Sequence, residues 1–437
     1  MTVRSRLRGA AISAFLDSDR LRHTLADARR RVTGAERAVD FYCDLGSPAS
    51  YLLGQLAQRL AAAYQVPVRF HLVSGPAGDV DPAPTLRPGH AVRDALDVAA
   101  RYDVEFPGKK PAEPGFLKRA QQVLLKPRPD DVQLAAALEL AHAVWTNDQK
   151  ALTALMGRYG HEDQMSVPPA LATGYGRLRK AGFYQGDALH YGGDWYLGVE
   201  RVHYLEARLA ADTGRTAPPV LARRPAIPAA PPAPAADGAA PVAAPTPAKP
   251  LELWFSFRSP YSYLALAQLA PVLGQYDVEV RLRPVLPLVE RGAQMPWVKR
   301  QYLARDAHRE ADRLGIPFGR LADPLGAGAQ HAIAILRSLP TPDQRLRFAL
   351  TALRGIWAEA LDLADYVDLR TVVERADLDW AAARAALADD GWRTEVADAA
   401  ADLNAAGLWG VPSFRYGDYA TWGQDRLPYV LDRLPRR

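Results

Sequence analysis

One short phrase occurs twice in this chain. Phe41-Tyr42-Cys43-Asp44-Leu45-Gly46-Ser47-Pro48-Ala49-Ser50-Tyr51-Leu52 returns as Leu253-Trp254-Phe255-Ser256-Phe257-Arg258-Ser259-Pro260-Tyr261-Ser262-Tyr263-Leu264, an offset of 212 residues. A second phrase, Tyr191-Gly192 through Leu197-Gly198-Val199-Glu200-Arg201-Val202, returns as Tyr416-Gly417 through Trp422-Gly423-Gln424-Asp425-Arg426-Leu427 at an offset of 225. Both ends of one unit therefore recur, and the second occurrence holds 13 more residues between them. Such self-similarity predicts a tandem duplication of one domain and says where in each copy a site should sit.

The length suggests two to three domains of ordinary size. A chain of 437 residues with 49% apolar and 24% charged side chains is long enough to bury a core in each. No run of 18 apolar residues is present, so no spanning helix is expected. The start, Arg4 to Arg8 followed by Gly9 through Leu16, faintly imitates a signal peptide, but Asp17-Ser18-Asp19 follows where small residues should stand. We read the chain as cytoplasmic, with no membrane or nucleic-acid partner. The single cysteine, Cys43, excludes a disulfide framework, a CxxC redox pair and a thiolate-rich metal site. The nine histidines show no ligand spacing, so no metal is expected. Residues 1–37 hold nine arginines against four acids, which accounts for the whole net charge of +5. Leu21, Leu25, Ala28 and Val32 recur there at helical spacing behind Asp17, Ser18 and Asp19 as cap candidates. Two readings suit this segment: a basic helix for an anionic surface, or an amphipathic helix packed on its own domain with a solvated arginine face. The poverty of aromatics on the apolar side favours the second.

Four segments follow from these patterns: a basic helical segment over 1–37, a first domain over 38–213, a linker over 214–250 and a second domain over 251–437. The linker is Pro- and Ala-rich from Gly214 to Pro250 and cannot bury enough apolar area to offset its ordering entropy. Each domain opens with a short strand (Val39–Cys43; Leu251–Phe257), then a helix, then a second strand (Val66–Leu72; Val278–Arg283). In the second domain a long helical stretch from about Pro296 to Ala406 precedes strands Ser413–Tyr416 and Tyr419–Trp422 and a closing helix near Gln424–Leu434. The order β-α-β, helical insertion, β-β-α describes two tandem thioredoxin-like domains, each with a large all-helical insertion; periodicity alone supports only the α/β class, and the motifs that close the loops make it more specific.

Three weak signals fall at the expected site of the second domain. Ser259-Pro260 is a good N-cap with proline at the first helical position, and by itself capping explains it. Gly410-Val411-Pro412-Ser413-Phe414 puts a proline just before a strand, where it cannot donate to the ladder and marks a tight, cis-tolerant turn. Trp422-Gly423-Gln424-Asp425-Arg426-Leu427 places an acid at the start of the last helix, where the helix dipole favours it.

In this order the motifs SPYSYLA, GVPSF and WGQDRL resemble the 2-hydroxychromene-2-carboxylate isomerases and kappa-class glutathione transferases, relatives of the DsbA-like thioredoxins. The resemblance covers Leu251 to about Leu434. It implies glutathione as co-substrate or cofactor, with Ser259 standing where thioredoxins place their first active cysteine and hydrogen-bonding the bound thiolate. It also implies that the Val411 backbone, ahead of Pro412, pairs with the cysteinyl part of the tripeptide, and that Gln424 and Asp425 hold its γ-glutamyl end. Tyr261, Trp254, Trp409 and Trp422 become walls for a flat aromatic substrate; for each, core packing is the competing reading. Two departures stand out: Gly292-Ala293-Gln294 replaces the family's usual glycine-asparagine pair, and Arg258 adds an unassigned charge before the serine.

The first domain departs further. Ser47 survives, but Asp187 stands at the position matching Pro412, and Glu200 replaces the acid matching Asp425. A buried carboxylate at 187 would oppose an anionic thiolate, so this copy reads as degenerate. Because family members pair as dimers, the duplication suggests an intramolecular pseudo-dimer or a homo-oligomer. The leading expectation is a glutathione-dependent isomerase acting on an aromatic or conjugated electrophile. The alternatives are a kappa-type glutathione transferase and a non-catalytic tandem thioredoxin-like binding module. A disulfide oxidoreductase is nearly removed by the position of Cys43, in strand one and four residues before Ser47.

Overall fold

The computed structural model describes Leu16 and residues 18–221, 225–228 and 249–437. The signal-like start and most of the Pro/Ala-rich linker lie outside the described residues. Two compact units are formed: an N-terminal one over 19–225 with the short piece 295–299, and a C-terminal one over 226–294 and 300–437, to which Leu16 belongs.

In chain order the N-terminal unit contains α1 (Asp19–Thr33), β1 (Val39–Cys43), α2 (Pro48–Tyr64) and β2 (Val68–Leu72). Five helices follow, α3 (Arg87–Tyr102), α4 (Pro114–Leu124), α5 (Asp130–Thr146), α6 (Gln149–Tyr159) and α7 (Val167–Lys180). The unit closes with β3 (Ala188–Tyr191), β4 (Asp194–Leu197) and α8 (Val202–Thr213). The C-terminal unit opens with β5 (Leu251–Phe255), α9 (Pro260–Leu269) and β6 (Val280–Pro284). Its inserted helices are α10 (Trp297–Leu314), α11 (Ala327–Ser338), α12 (Pro342–Ala358), α13 (Tyr366–Arg375), α14 (Trp380–Ala386) and α15 (Trp392–Ala405). Strands β7 (Ser413–Tyr416) and β8 (Tyr419–Trp422) and the short α16 (Leu427–Leu431) complete it.

Each unit holds one four-stranded sheet, ordered β2-β1-β3-β4 and β6-β5-β7-β8. The central strand pairs parallel to the second and antiparallel to the third in both. The registers keep the sequence offsets: Val39↔Val68 matches Leu251↔Val280 at 212, and Asp40↔His190 matches Glu252↔Arg415 at 212 and 225. Leu253, Trp254 and Phe255 run as consecutive fully buried residues because β5 is covered on both faces, which removes the alternation a half-exposed strand would show.

Two expectations need correction. The helix α1 forms, but its apolar stripe is not the packed side: Leu21, Leu25 and Val32 are 62%, 59% and 88% exposed. The helix docks instead through polar groups, Arg22 and His23 on Asp194 of β4 and Asp27 on Arg208. Asp194 is buried and needs cationic partners, so the ion pairs decide which face turns inward. The closing helix is also shorter than its pattern, a 3-10 turn over Gln424–Arg426 followed by α16. Among the described residues no helix is long and apolar enough to cross a membrane. Among them, too, no group of three or more His, Cys, Asp or Glu could hold a metal ion.

Candidate functional site

The C-terminal site is built where β5 ends. The chain leaves the strand through Ser256-Phe257-Arg258, turns with Ser259 N donating to Ser256 O at 3.0 Å, and enters α9 at Pro260. Ser259 has extended backbone (φ −99°, ψ 115°), as a cap requires, and its hydroxyl accepts from Ser262 N at 3.2 Å. The same hydroxyl donates across to the Val411 carbonyl at 3.4 Å. Val411–Pro412 is a cis peptide bond, and Pro412 O accepts from Gly423 N at 2.9 Å. Ser259, Val411, Pro412 and the Gly423 turn, which are far apart in sequence, are thereby joined by hydrogen bonds. The Val411 N–H finds no acceptor among the described residues, although Val411 is only partly exposed.

The other site residues divide. Trp409 and Trp422 pack with ring centroids 5.0 Å apart, Trp409 buried and Trp422 37% exposed. Gly410 lies against them so closely that a Cβ there would sit 2.4 Å from the Trp422 indole. Trp254 is fully buried, its indole N–H donating to Ala399 O at 2.8 Å, so its placement is that of a core residue. Tyr261 directs its hydroxyl onto Asp306 of α10 at 2.7 Å. Gln424 is buried with its amide engaged: Nε2 donates to Glu310 at 3.2 Å and to Asp425 at 2.8 Å, while Oε1 accepts from Gln268 at 3.0 Å. Gln424 therefore holds the Asp425 carboxylate in place.

The charge before the serine also finds its partner. Arg258 grips Asp323 with two hydrogen bonds, of 2.7 and 3.0 Å. Burial alone would raise the Asp323 carboxyl, but the Arg258 hydrogen bonds and charge hold it below the usual range. The pair ties the loop between α10 and α11 to the turn that presents Ser259. Nothing in the sequence linked these two residues, which are 65 positions apart.

The N-terminal unit repeats the frame with different contents. Ser47 N donates to Asp44 O at 2.9 Å, and Gly198 N donates to Asp187 O at 2.9 Å, matching the Ser259–Ser256 and Gly423–Pro412 bonds. Ser47 has nearly the backbone of Ser259 (φ −97°, ψ 125°) but makes no capping bond. Its hydroxyl donates to Asp187 Oδ2 at 2.9 Å, and the Ser50 hydroxyl donates to Asp187 Oδ1 at 2.5 Å. Asp187 adopts a left-handed conformation (φ 62°) that a proline could not take. Its carboxylate thus lies at the N-terminal end of α2, where an external anion would otherwise be stabilised. Asp44, the counterpart of Ser256, sits beside it and accepts from Gly46 N at 3.0 Å. Burial, then the Asp187 charge, pushes the Asp44 carboxyl up to about 7; burial raises Asp187 as well. Burial likewise raises the Cys43 thiol well above its ordinary value, the opposite of what a reactive cysteine needs. Glu200 lies in the one-turn helix Val199–Arg201 that follows β4. Asp44 matches Ser256 at the offset of 212, but nothing in the sequence signalled its pairing with Asp187.

The fold of the C-terminal unit defines its class. Residues 250–435 match the family model described as a DSBA-like thioredoxin domain, and the C-terminal unit has that fold. Over 196 residues the chain is 25% identical to a 2-hydroxychromene-2-carboxylate isomerase of Sphingobium xenophagum, covering 43% of this chain and 98% of that protein. A solved 2-hydroxychromene-2-carboxylate isomerase aligns at 23% identity over 42% of this chain and 92% of its own, with a TM-score of 0.37. A putative protein disulfide isomerase from Nitrosomonas europaea aligns at 16% identity over 42% and 96%, with a TM-score of 0.35.

Proposed function

We propose that the C-terminal unit is a glutathione-dependent isomerase of conjugated aromatic compounds. The observation that carries this reading is the Ser259 hydroxyl, set at the N-terminus of α9 and opposite Val411, in a unit that contains no cysteine. Such a site can stabilise a thiolate but must receive it from outside. Bound glutathione would supply a thiolate that adds reversibly to a conjugated carbonyl compound, allows rotation about the former double bond, and leaves again.

The chain's own residues then have separable tasks. Ser259 donates its hydroxyl proton to the sulfur anion, turning away from the Val411 carbonyl, and the positive end of the α9 dipole lowers the thiol's pKa. The Val411 N–H and C=O pair with the tripeptide backbone as an added strand. Asp425, fixed by Gln424, takes the γ-glutamyl amine. Trp422 and Tyr261 flank the electrophile. If the thiol stays attached the same site performs kappa-type transfer, and product analysis separates the two.

We also propose that the two halves are copies of one unit and that the N-terminal copy is degenerate. The shared strand order, registers and turn hydrogen bonds support common origin; the Asp187 carboxylate at the helix end supports loss of the thiol site. The test is turnover of conjugated aromatic pyruvates in millimolar glutathione. Wild type should isomerise them without consuming the thiol, and Ser259→Ala should lower the rate by roughly a hundredfold. Equal turnover by the variant rejects the serine's role, and an inactive wild type favours the binding-module reading.

A further inference from the structure

The loop after β6 carries a cation that the site as described does not use. Turn bonds from Glu290 N and Arg291 N to Pro287 O fold residues 287–293 back on themselves, with Gly292 at a positive φ of 84°. Arg291 is thereby turned toward the strand end: its Nε donates to Leu286 O at 3.1 Å, and its Nη2 donates across to Trp409 O at 3.2 Å. Trp409 is two residues before Val411, whose carbonyl meets Ser259.

Both partners of Arg291 are backbone carbonyls, and among the described residues no carboxylate lies within ion-pair distance of it. Elsewhere in the same unit arginines close to the site do have acids, as Arg258 has Asp323 and Arg309 has Asp306. Carbonyl dipoles do not neutralise a full charge, and burial lowers the Arg291 pKa without removing its proton at neutral pH. A guanidinium has five N–H donors in a planar fork. Two are spent here, and the partly exposed side chain leaves the others for a ligand. A largely buried, uncompensated arginine that bridges the two loops framing a site is costly unless an anion completes it.

We propose that Arg291 is the anion-recognition residue of the C-terminal site, taking a carboxylate of a small ligand whose reactive end lies at Ser259. This rests on the reading of that site given above. The distances permit it: two residues of backbone, at most about 7 Å, separate the Trp409 and Val411 carbonyls, and an extended tripeptide spans about 10 Å. Glutathione carries carboxylates at that reach, and a conjugated aromatic pyruvate carries one of its own. Arg291 is next to Gly292-Ala293-Gln294, where the asparagine expected from the resemblance is missing, so it supplies a polar contact from the same loop by other chemistry.

The experiment is calorimetric titration of the full chain, wild type, R291K and R291Q, with glutathione, glutathione monoethyl ester (glycyl carboxylate blocked) and benzoate. R291Q should weaken glutathione, benzoate or both by about tenfold or more, as loss of a charged hydrogen bond predicts, while R291K retains most of the affinity. If the thiol's glycyl end supplies the carboxylate, the ester binds wild type as weakly as glutathione binds R291Q. If the electrophile supplies it, ester and glutathione bind alike and only benzoate is lost. Wild type that binds benzoate but not glutathione, with benzoate lost in R291Q, keeps this assignment and removes glutathione. Unchanged binding of every probe by a folded R291Q, or no binding of any probe by wild type, overturns it.

Discussion

Ser47 and Ser259 occupy the same place on the same scaffold and do different things because of one residue each meets across the site. Ser259 faces a carbonyl, so its oxygen remains free to accept from the helix and its proton can be redirected. Ser47 faces the Asp187 carboxylate, which claims its proton. The Asp44 and Asp187 pair has a measurable consequence. An aspartate whose folded pKa is raised from 3.8 to about 7 binds a proton more readily folded than unfolded. The sign follows: stability contributed by this group is present below the unfolded value and declines as pH rises from about 4 through 7. Asp44→Asn, which keeps the acceptor for Gly46 N–H, should remove that decline. We expect the variant to match wild type near pH 3.5, below the unfolded value, and to exceed it at pH 8 by on the order of 1–2 kcal/mol, discounted for partial solvent access. Urea unfolding at the two pH values checks it, and a pH-independent difference would reject the coupled pair.

At the scale of elements, the site is a meeting of ends: the start of α9, the loop before β7 and the turn after β8. Their alignment depends on close packing at Gly410, where the chain passes over the Trp422 ring. Gly410→Ala would put a methyl 2.4 Å from the indole, so the Trp422 ring would have to leave its packing against Trp409 or the loop would have to shift. We expect a loss of about 1–3 kcal/mol, with weakened ligand binding at Val411 and a shifted tryptophan emission. Stability equal to wild type would show that this contact is slack. The strands of the C-terminal unit were largely legible in advance: β7 and β8 fall where the sequence puts them, whereas the inserted helices were read only as one helical stretch. The face of α1 was not, since periodicity locates an apolar stripe but not the buried Asp194 that draws the opposite side inward. The length of the last helix was also hidden, because a 3-10 turn and an α-turn share one apolar pattern.

For the whole molecule, the two units predict one thiol site per chain. The Asp187 carboxylate fills the N-terminal position, and on the proposed reading only the C-terminal one receives the thiol. Calorimetry with glutathione should therefore give a stoichiometry near one, and Ser47→Ala should leave it unchanged. A stoichiometry of two would show that the N-terminal unit is not blocked. Here the sequence alone determined a good deal: two short phrases, each occurring twice, located the first strand and helix start and the last turn of both units. Ser-Pro, Val-Pro and Gly-x-Asp are punctuation whose backbone demands are local, so they can be read in a row. What Arg258, Arg291, Asp44 and Gln424 do was decided only by tertiary structure. A charged or amide side chain takes its role from the partner it meets, and those partners, Asp323, the Trp409 carbonyl, Asp187 and Glu310, lie 65 to 143 residues away along the chain.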